Sequence, residues 1–318
     1  METESDIKQL CALADRHIQE GRHEEGISIY KRLIGAHPAD DSLLMSLTWA
    51  YKDSGKAEKA VTCLETLLER ELRRAIFAGF AFDELVRIYI DDCHYERLVS
   101  MCERVVAAHP DDASLLITLG DACLRAGKRD RAIQVFELLS ELEPDSPMSF
   151  CYLGNAHIAA GSLNEGWAAY EKAILIDPSD TNTFYDRLGF FLSQYGHCGK
   201  AEEALRKSIE INRNHPATHC SLGDILIKQD KVAEGMASYE NAVRLDPTSQ
   251  GSYYNRLGNV LTDNSHHRDA RAAYRKAIAA DPENPFYYLR LAESYKNEGF
   301  DRMADEIYKK AKTAKVAS

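Results

Sequence analysis

The side chains that could support chemistry are plentiful in this chain but poorly spaced for it. Eight cysteines are scattered without a CxxC or any other close pair. A zinc site draws its ligands from recurring short spacings, which Cys93, His94 and Cys102 do not supply. Cys198 follows His197 directly, and sequence neighbours point apart on a helix, so the two cannot act as nucleophile and base. His266-His267-Arg268 falls in a turn, and His17 and His157 fall on apolar helix faces that suit a satisfied histidine better than a ligand. There is no GxGxxG, Walker loop, HExxH or GxSxG. Carboxylates are abundant, 50 Asp and Glu in all, but they fall mainly on solvent-facing helix positions. No catalytic group, cofactor or metal is expected.

Composition bounds the alternatives. Of 318 residues, 45% are hydrophobic and 28% charged, as in a folded soluble protein. A net charge of -11 argues against general nucleic-acid binding, which needs clustered Lys and Arg. No run approaches the roughly 20 apolar residues of a membrane span. The first residues, Met1 to Asp6, are acidic and lack the basic and apolar regions of a secretory signal. A cytoplasmic location is the expectation.

The elements that must position these side chains announce themselves as a repeat. Pro38, Pro110, Pro144, Pro178, Pro247 and Pro282 each close an amphipathic stretch, and several are separated by 34 residues. Taking proline as position 32 gives units beginning at Ile7, Asp41, Gly79, Ala113, Pro147, Asn182, Pro216, Gly251 and Pro285. Position 7 is then leucine in all nine, from Leu13 and Leu47 to Leu257 and Leu291. Position 8 is Gly or Ala in seven units, and position 20 in eight, Leu98 departing. Position 24 carries Tyr30, Phe136, Tyr170, Tyr239, Tyr274 and Tyr308, with Leu64, Cys102 and Leu205 in the rest. Chance does not produce this agreement.

Helical spacing explains the residue types. Positions 4, 7, 8 and 11 form one buried stripe, and 20, 24 and 27 another. Small residues at 8 and 20 let two helices approach, and the large residue at 24 fills the space beside them. Glycine at position 15 (Gly21, Gly55, Gly127, Gly161, Gly196, Gly299) supplies a turn with positive φ. In these residues the chain resembles the tetratricopeptide repeat family from Ile7 to about Lys312. The resemblance implies an all-α solenoid of antiparallel helix hairpins, wound into a right-handed superhelix whose first helices line a concave groove.

The expected organisation is a lead-in at 1–6, two repeats at 7–74, an insertion at 75–78, a divergent third repeat at 79–112, and repeats four to nine at 113–318. The insertion should lengthen the preceding helix and distort the junction. The third unit has Val86, Cys93 and Leu98 where small residues and the turn glycine are usual. Single extra residues near Thr181 and Gln250 should only lengthen loops. In the ninth unit Asp305 and Lys312 replace apolar residues, as expected of a polar terminal cap that finishes the array.

Positions 2, 5, 6, 9, 12 and 13 of each first helix point away from the buried stripe, and the resemblance implies that they bind extended peptides. They include Trp49, Arg87, Arg125, Tyr152, Asn155, Arg187, Phe190, Lys228, Asn255, Arg256, Asn259 and Arg290, interleaved with Asp83, Asp121, Asp186, Asp224, Asp263 and Glu293. Arg187, Arg256 and Arg290 share position 6. Their guanidinium groups could fork onto peptide carboxylates or carbonyls, or pair with the neighbouring acids. Asn155, Asn255 and Asn259 could hydrogen-bond an extended backbone. Trp49 could face a ligand or pack sideways on the third unit. Some family members clamp chaperone C-termini with Lys, Asn and Arg over three consecutive units, and no three consecutive units here match. The expectation is a non-catalytic scaffold or adaptor for a protein or peptide partner, acidic or carboxylate-bearing, with no nucleic acid and no membrane insertion. The alternatives are a self-associating structural component (a homo-oligomer) and a regulatory subunit of a separate enzyme.

Overall fold

The computed structural model describes residues 4–74, 77 and 79–314. Of the expected insertion at 75–78, only Phe77 lies within the described residues. No strand occurs among them; eighteen α-helices follow one another in antiparallel pairs. The chain forms two compact units, Met1–Leu142 and Glu143–Ser318. In the first, α1 (Glu4–Gln19) pairs with α2 (His23–Ala36), α3 (Asp41–Asp53) with α4 (Ala57–Arg74), α5 (Phe80–Asp91) with α6 (Tyr95–Ala108), and α7 (Ala113–Arg125) with α8 (Arg129–Leu142). In the second, α9 (Pro147–Ala160) pairs with α10 (Leu163–Ile176), α11 (Thr181–Gln194) with α12 (Cys198–Ile211), and α13 (Pro216–Lys228) with α14 (Val232–Leu245). Two further hairpins complete it, α15 (Gln250–Asp263) with α16 (His267–Ala280) and α17 (Pro285–Asn297) with α18 (Asp301–Ala314). The all-α solenoid of helix hairpins is therefore the architecture of each unit.

Each hairpin closes where the two helices cross. A Cβ added to Gly154 would stand 2.7 Å from Tyr170 Cδ2 and 3.0 Å from the Gly166 carbonyl oxygen. Gly189 meets Leu205, and Gly223 meets Tyr239, at the same place. Tyr170, Tyr239, Leu205 and Phe136 are fully buried or nearly so, so the hole left by a missing side chain is filled by a large one from the second helix. A second knob appears wherever position 20 is glycine: Ile18, Ile158 and Ile227 occupy the space beside Gly26, Gly166 and Gly235. Such interlocking sets the spacing of the helices more tightly than hydrophobicity alone.

The turns follow one geometry throughout. All six position-15 glycines have φ between 70° and 86°. Among the described residues, the three with positive φ other than glycine are Cys93, Asp230 and Ser265, the position-15 residues of the remaining hairpins. The third repeat, divergent in sequence, thus turns as the others do. Its entry differs: α4 runs 18 residues against 14 for α2, and Phe77 packs on Phe82 and His109 at 5.8 and 5.2 Å between ring centres. Near Thr181 and Gln250 the chain forms one-turn 3-10 helices rather than plain loops, Pro178–Asp180 and Pro247–Ser249. Proline fixes the entry angle, and Asp177 and Asp246 accept from the Ser179 and Thr248 amides at 3.0 and 3.1 Å.

Within the second unit, successive first helices touch one another, α9 with α11, α11 with α13 and α13 with α15, while the second helices α10, α12, α14 and α16 are not brought together to the same degree. The stack over these repeats therefore curves toward its first helices. The six positions expected to face a ligand do not all do so: position 5 at Cys151 and Cys220, position 9 at Asn155 and position 12 at Ile158 and Ile227 are buried, because these side chains pack within the hairpin or on the next one. Asp305 and Lys312 on α18 are exposed. No helix is long and apolar enough to cross a membrane among the described residues.

Candidate functional site

Position 9 decides what the first-helix face offers. In four repeats the tyrosine at position 24 donates its hydroxyl to the acid or amide at position 9 of the same hairpin. Tyr30 reaches Asp15 at 2.5 Å, Tyr170 reaches Asn155 at 2.6 Å, and Tyr274 reaches Asn259 at 2.9 Å; Tyr239 bonds Asp224 in the same way. Burial pushes the Tyr170 and Tyr239 hydroxyls well above the ordinary phenol range, so they stay protonated and remain donors. These pairs lock the hairpin and spend the position-9 oxygen internally. Helical spacing places Asn155 and Asn259 on the solvent face; the structure instead turns their oxygens onto the tyrosines, and Asn155 is only 3% exposed. Asn155 is thereby enclosed, while Asn259 is only half-buried.

The pattern is present in the sequence as a fifteen-residue spacing, Asp or Asn followed by Tyr, but only a buried hydroxyl gives it meaning. Where position 24 has no hydroxyl, position 9 is free to differ. Leu64, Cys102 and Leu205 stand opposite Trp49, Arg87 and Phe190, all exposed, while Phe136 stands opposite Asp121. Trp49 packs sideways on the third repeat, its ring 6.1 Å from Phe80, and keeps 43% of its surface in solvent.

The arginines at position 6 sit over the lock of the preceding repeat, and that lock determines their state. Arg256 meets an aspartate: its Nε and terminal nitrogen donate to Asp224 Oδ2 at 3.1 and 2.6 Å. Arg187 meets an asparagine lock instead. Its guanidinium lies 6.0 Å from the Tyr152 ring centre and 3.8 Å from Met148 Sδ, and its buried Nε has no hydrogen-bond partner among the described residues. Arg290 also follows an asparagine lock, Tyr274 with Asn259. It lies over Phe286 at 4.8 Å, pairs with Glu293 on its own helix at 3.0 Å, and keeps a buried Nε likewise without a partner among the described residues. An exposed i,i+3 pair of that kind contributes about 0–1 kcal/mol and yields readily to a competing carboxylate.

Beside Arg290 a cavity of about 320 Å³ opens between α15 and α17, with Asn259, Asn297, Asp263 and Ser294 in its lining. Ser294 is 3% exposed and its hydroxyl is another buried group without a partner among the described residues. Unpaired buried donors of this sort cost roughly 1–3 kcal/mol each and favour any ligand that supplies acceptors. Asn255 Oδ1 is a buried acceptor in the same condition. Among the sequence-predicted residues, Arg125 belongs to the first unit, on α7 beside Tyr95. Tyr152, Asn155, Arg187, Phe190, Asn255, Arg256, Asn259 and Arg290 all belong to the second.

Three tetratricopeptide repeat models match residues 99–148, 216–249 and 255–314. The BBSome complex member bbs-4 of Caenorhabditis elegans is 21% identical over 211 residues, 65% of this chain and 45% of that protein. Protein O-mannosyl-transferase TMTC1 of Mus musculus is 28% identical over 133 residues, 41% of this chain and 14% of that one. The chain thus spans less than half the length of either relative. The crystal structure of MamA covers 52% of this chain and 95% of its own, with 22% identity and a TM-score of 0.38. Given hairpin crossings that recur at Gly154, Gly189 and Gly223, and family models matched to both units, the chain belongs to the tetratricopeptide repeat family.

Proposed function

We propose that this protein is a non-catalytic interaction adaptor whose second unit holds an extended, carboxylate-bearing segment of a partner protein along its first helices. The observation that carries this reading is the difference among the three position-6 arginines. Arg256 is neutralised by Asp224, whereas Arg187 and Arg290 overlie asparagine locks that bring no charge. Arg187 and Arg290 each keep a buried Nε without a partner among the described residues, and Arg290 is paired only with Glu293 of its own helix, which supports a site for a further acceptor at both. Each guanidinium would donate to a carboxylate of the segment in a charge-assisted bond. The NH2 group of Asn259 and the Ser294 hydroxyl beside Arg290 add neutral hydrogen bonding for the segment's backbone. The eight free cysteines, five of them buried, fit a reducing compartment such as the cytoplasm.

Affinity capture from the native cell tests this reading. Wild type and Arg187→Ala/Arg290→Ala, immobilised at equal density, are compared by mass spectrometry of what each retains. The partners recovered by wild type are expected to fall away with the double variant. Unchanged recovery would retire the binding surface.

A further inference from the structure

The sixth repeat breaks the lock, and what it exposes is chemically different from the arginine sites. Leu205 at position 24 has no hydroxyl to donate, and position 9 is Phe190, 58% exposed, its ring edge-on to Phe191 at 5.7 Å. Beside it lies a cavity of about 160 Å³ with Phe190, Leu205 and Ile225 on one side and Ser193, Gln194, Ser221, Asp224, Lys228 and Arg256 on the other. Its volume admits a single leucine- or phenylalanine-sized side chain laid against Phe190, with the polar groups around that side chain. The charge around it is partly spent. Asp224 is held by Tyr239 and Arg256, while the exposed Lys228 ammonium donates to Ser193 Oγ at 3.1 Å rather than to a carboxylate.

We infer that the Phe190 cavity is a specificity subsite for one large apolar side chain of the bound segment, with Lys228 selecting an acidic residue next to it. The inference rests on the proposed function and sharpens it: the partner segment is acidic but carries a leucine- or phenylalanine-sized anchor. An exposed phenylalanine alone would mean little. Here it coincides with a missing donor at position 24, a cavity of side-chain size and a cation at the edge.

Fluorescence anisotropy with labelled peptides Asp-Asp-Xaa-Asp-Asp, where Xaa is Ala, Leu, Phe or Lys, tests it on the full chain. Burying part of the anchor should make the Leu and Phe peptides bind about fivefold tighter than the Ala peptide. Phe190→Ser should reduce that preference below about twofold. Phe190 is largely exposed, so its loss leaves helix packing intact; Ser193→Leu, which fills the cavity, should abolish the preference by a second route. Equal binding of all four peptides by wild type, lost in Arg187→Ala/Arg290→Ala, would overturn the subsite and leave the arginine surface standing. A preference that survives both Phe190→Ser and Ser193→Leu would also overturn it. No binding by wild type would overturn the surface and the subsite together.

Discussion

Adding one methyl group at a hairpin crossing separates the packing account from helix propensity, because the two predict opposite signs. Gly154→Ala removes a helix-interior glycine, which by propensity alone stabilises by about 0.8–1 kcal/mol. The new Cβ, however, would stand 2.7 and 2.9 Å from the Tyr170 ring and 3.0 Å from the Gly166 carbonyl oxygen. Neither neighbour can move away cheaply. Tyr170 is fully buried and tethered by its hydroxyl to Asn155 at 2.6 Å, and the carbonyl is part of α10. The two helices must separate, and overpacking of this kind costs about 1–3 kcal/mol, to which strain on the tyrosine lock adds. The clash wins, for a net destabilisation of about 1–2 kcal/mol and a fall in Tm of roughly 3–6 °C. Gly199 is the control: it lies in α12, and a Cβ added there would meet nothing within 4 Å, so Gly199→Ala should leave Tm unchanged or raise it by about 1–2 °C. Thermal unfolding followed by circular dichroism at 222 nm reads both. A Gly154→Ala protein that gains stability as Gly199→Ala does would refute the close-crossing argument.

Other expectations follow from the locks, the turns and one ion-pair network. Tyr170→Phe should cost about 1–3 kcal/mol in urea denaturation, since it leaves Asn155 Oδ1 buried without its donor; no change would mean the bond contributes nothing. Ser265→Gly should stabilise by roughly 0.5–1 kcal/mol, because its φ of 67° costs a residue with a Cβ more than it costs glycine, and a lower Tm would contradict this. Glu84 bridges α3 and α5 by accepting from Lys52 at 2.6 Å and from Arg87 at 2.8 Å, which hold its carboxyl below the usual range. Its stabilisation is complete above the unfolded value of about 4.3 and lost as pH falls through the lower folded value. The Tm difference between wild type and Glu84→Gln should therefore be present at pH 7 and vanish in acid; a difference independent of pH would exclude this role.

The hairpins were legible in the sequence because their determinants are local and repeated. Leucine at position 7, small residues at 8 and 20 and glycine at 15 fixed the phase of every helix. Cys93, Asp230 and Ser265 show the strength of that frame: the backbone takes the left-handed turn even where glycine is missing. Leucine at position 7 did not guarantee burial, since Leu13 is 39% exposed on α1. The candidate site was less legible. A helical wheel assigns position 9 to the solvent face, but the tyrosine at 24 is long enough to reach around the crossing and claim it. That reach also decided the arginines, whose fate depends on whether the lock beneath is Asp224 or an asparagine. Arg187 and Asp186 are sequence neighbours and still do not pair; Asp186 instead accepts from Thr218 Oγ1 at 2.6 Å.

The charge-free locks beneath Arg187 and Arg290 can be tested with one titration. A labelled hexa-aspartate peptide is followed by anisotropy against wild type, Arg187→Ala/Arg290→Ala, and a charge-matched control, Arg206→Ala/Lys276→Ala, whose cations lie exposed on the second helices α12 and α16. Two charge-assisted bonds, each about 1.5–3 kcal/mol before screening, predict at least a roughly tenfold loss for the first variant and less than about twofold for the control. Equal losses in the two variants would mean that net charge alone governs binding, and would contradict a built site on the first helices.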